Sequence, residues 1–282
     1  DSLLSQRDVS PEIVVVNDGS NDNTALILEE LASAHTNIKL VHQTKQGLTA
    51  ALIKGCASSK GEFIARQDCG DISSPLRLIE QLNVLKSNPS ASMTSCATNF
   101  LNEDGHLLYT ASVTDELTQD VPIKSPSHHG CVMFRKKDYL AVGGYRTEFY
   151  IAQDLDLWSR LQEKGEHIGL DEVLYSATVL PRSITSTRRH LQHRLSKLIQ
   201  QAALRRQNGL SETPLLDKAK VISRNKPLGR RQGYSKHYFF VAGCLRDSCP
   251  EEAKRHYFKA IQANPFHFKA WIRYLQVLSK TR

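Results

Sequence analysis

The sequence predicts an α/β fold: a mixed sheet flanked by helices, followed by an all-α C-terminal part. Three observations carry that expectation. Glu12-Ile13-Val14-Val15-Val16 runs unbroken into the polar turn Asn17-Asp18-Gly19-Ser20. Glu62-Phe63-Ile64-Ala65-Arg66 runs likewise toward Asp68-Cys69-Gly70-Asp71. Such apolar runs suit strands buried on both faces. Strands alternate with helical patterns to about residue 181, beyond which only helical patterns remain. Open α/β sheets bind ligands outside the carboxyl ends of their strands, so the two polar turns are the first candidate site. Two strands delivering carboxylates to one sheet edge suit a polyanion handled together with a metal ion.

The elements follow in order. Asp1 to Gln6 has the pattern of the last turns of an amphipathic helix, with no strand before it. The expectation is a chain that opens inside its first βαβ unit, without that unit's first strand. Thr24 to His35 keeps Ile27, Leu28 and Leu31 on one helical face. Ile38 to Val41 is a short strand, and Gly47 opens a helix to about Ser58. Pro75 sits at a helix start, continued by Leu76 to Leu85. Met93 to Phe100 and His106 to Ala111 are strands around the Asp104-Gly105 turn, and Val132 to Phe134 is another strand. Gly143-Gly144-Tyr145-Arg146 is a turn, and Asp154 to Lys164 a helix that opens with acidic residues, as the helix dipole favours. Thr187 is placed to cap a long basic helix striped by Leu191, Leu195, Leu198 and Ala202 and ended by Gly209. Asn225 to Gly233 is a Pro/Gly/Arg-rich linker. In 236–282, Ala253, Tyr257, Ala260 and Ile261 keep helical spacing, Asn264-Pro265 breaks it, and Trp271 and Leu275 mark the next face. That is a tetratricopeptide-like hairpin; one repeat cannot bury its own face, so it should dock on the rest of the chain. The expected divisions are 1–181, 182–232 and 233–282.

Composition narrows the class. The 282 residues allow one domain of roughly 180 residues plus a smaller unit. With 40% hydrophobic and 23% charged residues the chain is globular, and no run approaches the ~20 apolar residues of a membrane-spanning helix. Six cysteines without a CxxC pair point to a reducing cytoplasm, and Cys244 with Cys249 lacks the further ligands of a zinc site. Charge is divided sharply. Residues 1–181 hold 15 Lys/Arg against 24 Asp/Glu, and residues 182–282 hold 22 against 5. The basic half, with Arg188, Arg189, Arg194, Arg205, Arg206, Arg230 and Arg231, suits phosphates or an anionic membrane face, or else an interface with the acidic half. No nucleic-acid motif accompanies the charge, so no nucleic acid is expected.

Five motifs in order carry a resemblance: Val16-Asn17-Asp18-Gly19-Ser20, Lys60 through Asp71, His129 through Lys136, Val142 through Arg146 and Gln153-Asp154-Leu155-Asp156-Leu157-Trp158. Together they resemble the family 2 inverting glycosyltransferases of GT-A fold over residues 1 to about 185, and the helical extension resembles that of some bacterial members more loosely. The resemblance implies transfer of a sugar from a nucleoside-diphosphate donor, UDP-linked, to a glycan, lipid-linked or protein acceptor in cell-surface polysaccharide or glycoconjugate synthesis. The location it implies is the cytoplasm, peripheral at the inner face of the plasma membrane. A different class stays open: a degenerate nucleotide-sugar binder or scaffold acting through its C-terminal helices.

The resemblance assigns residues. Asp18, with Gly19 and Ser20, would hold the nucleotide base, a carboxylate being an acceptor for the uracil imide; an Asx-turn that only shapes the loop is the alternative. Asp68 and Asp71 stand where the family carries Asp-x-Asp and would hold Mg²⁺ or Mn²⁺ on the diphosphate. Gly70 replaces the usual second Asp, which leaves Asp71 between metal ligand and helix cap, with Asp68 toward ribose or uracil. Asp154 would be the catalytic base or, alternatively, a helix cap. His129, next to His128, would touch a diphosphate oxygen or the acceptor, or else be structural.

Overall fold

The computed structural model describes residues 1–117, 122–181, 184–224 and 230–280. Strand and helix alternate at first: β1 (Ile13–Asp18), α1 (Thr24–Ala34), β2 (Ile38–Gln43), α2 (Leu48–Ser58), β3 (Phe63–Ala65), β4 (Ile72–Ser73) and α3 (Arg77–Ser87). Next come β5 (Ala91–Leu101), β6 (Leu107–Ala111), β7 (Thr114–Leu117), β8 (Pro122–Ser125), β9 (Val132–Arg135), α4 (Lys136–Ala141), α5 (Gln153–Leu161) and β10 (Glu166–Thr178). Among the described residues, the helices that follow are α6 (Ile184–Gln207), α7 (Thr213–Ser223), α8 (Arg230–Leu245), α9 (Pro250–Ala263) and α10 (Phe268–Lys280). None of the described helices is long and apolar enough to cross a membrane.

The main sheet is mixed. Its order is β3-β9-β5-β10-β4, with β6 also paired to β5. β10 runs parallel to β5, while β9 is antiparallel to both its neighbours. The main core lies on this sheet and joins Met93, Cys96, Phe134, Leu157, Trp158, Leu161, Leu174 and Tyr175.

β1 departs from expectation. It pairs in parallel with β2 from Ile13↔Ile38 to Asp18↔Gln43, and among the described residues neither strand joins the main sheet. Val14, Val15 and Val16 are therefore half-buried rather than buried on both faces. The strand pair instead borders a cavity of about 710 Å³ lined by β1 and β3 together with Leu52, Leu78, Met133 and Phe134. The two carboxylate-bearing strands thus border one cavity instead of sharing a sheet edge.

Smaller departures have local causes. Asp1 to Ser5 forms a single turn, closed by Leu4 and Ser5 amides on the Asp1 carbonyl. The long basic helix is already under way at Ile184, so Thr187 lies inside it and cannot be its cap. Helix α8 takes in Arg230 to Gly233, shortening the expected linker; 225–229, and the boundary at 182, lie outside the described residues. Helix α7 and strand β10 went unmarked in the sequence. In β10 the pairing register slips between Leu170 and Val173, where Asp171 and Glu172 interrupt the apolar pattern.

The terminal helices dock as expected. Leu108 and Val179 of the α/β part cluster with Val241, Ala242, Leu245, Ala253, Tyr257 and Val277. The α6 stripe does something further. Leu191, Leu195 and Ile199 pack in one cluster with Phe149, Ile151 and Ala152, the segment that leads into α5.

Candidate functional site

The first polar turn is shaped from within. The Asn17 side chain accepts the Ser20 amide at 3.1 Å, closing the Asx-turn that Gly19 permits with a φ of 67°. Asp18 reaches past it to the loop between β2 and α2. One of its oxygens accepts from Gln43 Nε2 and the Gln46 amide, each at 2.7 Å, and the other accepts the Gly47 amide at 2.8 Å. Burial pushes its carboxyl up, but these donors and Lys45 win and hold it below the usual carboxylate range. A carboxylate offers about four lone-pair sites, so one remains for a ligand. Gly47 in turn meets Tyr150: a Cβ there would lie 2.6 Å from that ring.

The second turn is built on Tyr175. Its hydroxyl accepts the Asp68 amide at 3.1 Å and donates to Asp71 Oδ2 at 2.9 Å, while Asp71 Oδ1 accepts the Thr178 amide at 3.0 Å. Gly70 makes this possible. Its φ of 89° folds the chain back so that Asp71 points into the cluster. Buried Arg77 binds the Arg66 carbonyl at 2.8 Å, Gln67 and Ser73, and covers the Tyr175 ring at 4.8 Å.

Asp68, Asp71 and His128 converge, their ligand atoms all within 4.8 Å of one another. His128 Nδ1 lies 3.9 Å from Asp68 and 3.8 Å from Asp71, and its ring stacks on Tyr175. The carboxyls behave oppositely. Burial pushes Asp68 up, but Arg66, His129 and His128 outweigh it and hold it below the usual range. For Asp71 burial wins, helped by the Asp68 charge, and its pKa is raised. Two carboxylates and an imidazole suit a borderline divalent cation such as Mn²⁺, and a raised carboxyl beside an ionised one is what such a charge would relieve. Nδ1 also accepts the Gly130 amide at 2.9 Å, a bond that ligation would displace.

His129 points the other way. It is buried against Trp158, with Nε2 2.8 Å from the Tyr145 hydroxyl. Burial drives its pKa down to about 4, against the pull of Asp154 and Asp68. Those two carboxylates are therefore within electrostatic reach of one imidazole.

Asp154 opens α5 and is half-exposed, one oxygen accepting the Leu155 amide at 2.9 Å. Before it stands Ala152, left-handed at φ 59° and ψ 23°. Asp156 is buried and bound instead. It meets Arg160 at 2.5 Å and Arg146 at 3.7 Å, and the chain of charges continues through Glu212 to Arg206 and Glu163. His128 and Tyr175 are the members of this site that sequence reasoning did not single out as ligand and organiser. The adjacent His-His pair was the available signal for the first; Tyr175 lies in β10, which the sequence pattern does not mark, and gave none.

Comparisons with known proteins bear on this arrangement. The family described as glycosyl transferase family 2 matches residues 1–141. The putative glycosyltransferase EpsE of Bacillus subtilis is 30% identical over 182 residues, covering 62% of this chain and 65% of that protein. The amylovoran biosynthesis glycosyltransferase AmsE of Erwinia amylovora is 28% identical over 178 residues, covering 62% and 66%. The chain thus spans slightly under two thirds of the length of these relatives. Among solved structures, TarS 1–349 of S. aureus, in complex with UDP-GlcNAc, aligns with a TM-score of 0.56 at 17% identity over 100% of this chain and 86% of that one. The mannosyltransferase PcManGT of Pyrobaculum calidifontis, in complex with GDP-Man and Mn²⁺, aligns at 0.53 and 16% identity over 99% and 80%. At such identities the likeness is one of fold.

Proposed function

The chain belongs to glycosyl transferase family 2, and from that premise we propose that it transfers a sugar from a nucleoside-diphosphate donor to a hydroxyl acceptor with inversion. The observation that carries the proposal is the convergence of Asp68, Asp71 and His128 at 4.8 Å or less. Support for the donor class comes from the fold neighbours solved with UDP-GlcNAc and with GDP-Man and Mn²⁺. Support for a glycan or lipid-linked acceptor in surface polysaccharide synthesis comes from the relative named for amylovoran biosynthesis. The inner face of the plasma membrane is the matching location.

Asp68, Asp71 and His128 would hold a divalent cation, whose chemistry is to neutralise charge on the departing diphosphate. The residues of the chain do the rest. Asp18, with Gly19 and Ser20, offers its remaining acceptor site to the base. Asp154 takes the acceptor hydroxyl's proton as its oxygen bonds the anomeric carbon from the face opposite the diphosphate. The bond from that carbon to phosphate oxygen breaks, and its electron pair leaves with the diphosphate. Asp156 is unsuited to that role because both its oxygens face guanidinium groups inside the protein. His129, neutral and bound to Tyr145, acts as packing beneath the site; His128 takes the position facing the diphosphate.

Replacing Asp154 by Asn tests the reading. Loss of a general base lowers turnover by ~10²–10⁴-fold, while UDP affinity, read by titration calorimetry, should stay within a few-fold by the same separation of binding from chemistry. A variant with normal transfer would refute the assignment. A wild-type chain that binds donor but never turns it over would point to the degenerate binder.

A further inference from the structure

Helix α10 carries an outward strip that the described residues leave uncovered. Ala270 and Val277 are buried on the α9 side. On the far side Phe268, Trp271, Ile272 and Leu275 are 71%, 41%, 56% and 59% exposed, and Phe266, just ahead of the helix, is 79% exposed. At ~100° per residue the four helical positions fall within an arc of roughly 100°. Phe258 of α9, 45% exposed and packed on Tyr274, extends the strip. Single exposed apolar residues need no explanation, but a contiguous patch marks an interaction surface.

Charge selects the occupant. Lys269 and Arg273 are exposed on one flank of the helix, between the strip and the α9 side, and residues 264–282 hold four Lys/Arg and no acidic residue. The Trp271 indole N–H donates to the Pro265 carbonyl at 2.9 Å. The ring can therefore enter an apolar phase without stranding a donor. A second copy fits poorly. Two such basic rims would repel, and a 13-residue helix is about 20 Å long, so one face falls short of the ~800 Å² per partner of a stable interface. An apolar aromatic face with a basic border is the pattern of a helix lying in a bilayer surface.

We propose that α10 lies in the surface of an anionic bilayer, with Phe266, Phe268, Trp271, Ile272 and Leu275 at the acyl boundary and Lys269 and Arg273 among the headgroups. This rests on no residue of the donor site. It also moves the membrane contact from the arginines of α6 and α8 to α10.

Tryptophan fluorescence of the full chain gives the test, because the only other tryptophan, Trp158, is 4% exposed. With vesicles of equal parts phosphatidylglycerol and phosphatidylcholine, Trp271 emission should shift to the blue, and brominated lipid should quench it. Phosphatidylcholine alone should bind far less. High salt should release the protein, since the screening length falls from about 10 Å at 0.1 M to about 3 Å at 1 M. The double replacement Ile272→Glu with Leu275→Glu should weaken vesicle binding by at least about 100-fold. The double replacement Lys269→Gln with Arg273→Gln, at exposed positions that leave folding intact by circular dichroism, should weaken it by roughly 30-fold. The proposal is overturned by the absence of any vesicle response, by equal binding to both lipid mixtures, or by unchanged affinity of the Gln variant. It is equally overturned if the emission shift follows protein concentration without lipid and a dimer mass accompanies it.

Discussion

Replacing Asp71 by Asn should make the metal-free protein no less stable and yet abolish its response to metal. The two carboxylates lie within 4.8 Å, where like charges repel by about 3.5 kcal/mol at an effective dielectric constant of 20. Against this stand the bonds from Tyr175 and Thr178, each worth about 1.5–3 kcal/mol to a charged acceptor and about half that to a neutral one. The raised Asp71 pKa says which side wins: burial and repulsion outweigh the two bonds. A neutral amide at position 71 escapes that penalty. The pH dependence follows the same sign. A raised folded pKa gives stability that is complete below the ordinary aspartate pKa of about 3.9 and is lost as pH rises toward the folded value. Wild type should show that loss without metal, and Asp71→Asn should not. With Mn²⁺ and UDP at 100 times Kd, wild type gains about 2.7 kcal/mol, or roughly 5–10 °C in Tm for a chain of this size. Scanning calorimetry with Mn²⁺ and with EDTA reads both arms. The reasoning fails if the variant keeps the wild-type Mn²⁺ shift, or if it is strongly destabilised in EDTA.

Two other positions separate structural from chemical roles. Asp156→Asn leaves Arg160 without its buried counter-charge and Arg146 with Glu212 alone, and should cost about 3–5 kcal/mol of stability in a denaturant titration. UDP affinity of the folded fraction should be unchanged, so a stable variant with impaired binding would contradict the assignment. Gly47→Ala forces a side chain into φ 93°, ψ 170°, a region essentially confined to glycine, and against Tyr150. A loss of about 1–3 kcal/mol is expected by the same denaturant titration, with weaker UDP binding because Asp18 holds the Gly47 amide; wild-type behaviour on both counts would refute it.

How much of this was legible in the sequence depends on what each residue needed from distant parts of the chain. The strand-turn units at Asp18 and Asp68 were plain, because a buried apolar run and a polar turn are local patterns. The departure at Gly70 was also visible. That it turns Asp71 into the cluster was not, since the partners that catch Asp71, Tyr175 and Thr178, lie more than 100 positions away. The choice between His128 and His129 was beyond sequence for a related reason. His128 has extended backbone, at φ −154° and ψ 150°, whereas His129 begins a 3₁₀ turn over His129–Cys131, so the two side chains leave the chain in different directions. One histidine must meet the carboxylates and the other the core, and only the position of Trp158 and Tyr145 decides which.

The basic half shows the same limit and gives the C-terminal helices a role in the site. Its charge suited an external anion or an internal interface equally well. In α6, Arg206 bonds Glu163 and Glu212, and Arg188 covers the Tyr150 ring at 5.5 Å, while Arg194 is exposed; the side chains of Arg189 and Arg230 lie outside the described residues. The apolar stripe of the same helix closes over Ile151 and Ala152. Ala152 needs that support. A left-handed alanine costs roughly 1–2 kcal/mol, and only a tightly packed surrounding keeps a residue in such a conformation. The turn it makes sets where α5 begins, and hence where Asp154 stands. The ion chain through Arg146, Asp156 and Arg160 fixes the next turn of the same helix to α6 and α7. The helices after residue 181 therefore hold the proposed base in place, and two of the arginines that looked like a surface for a partner, Arg188 and Arg206, belong to the interface that does so.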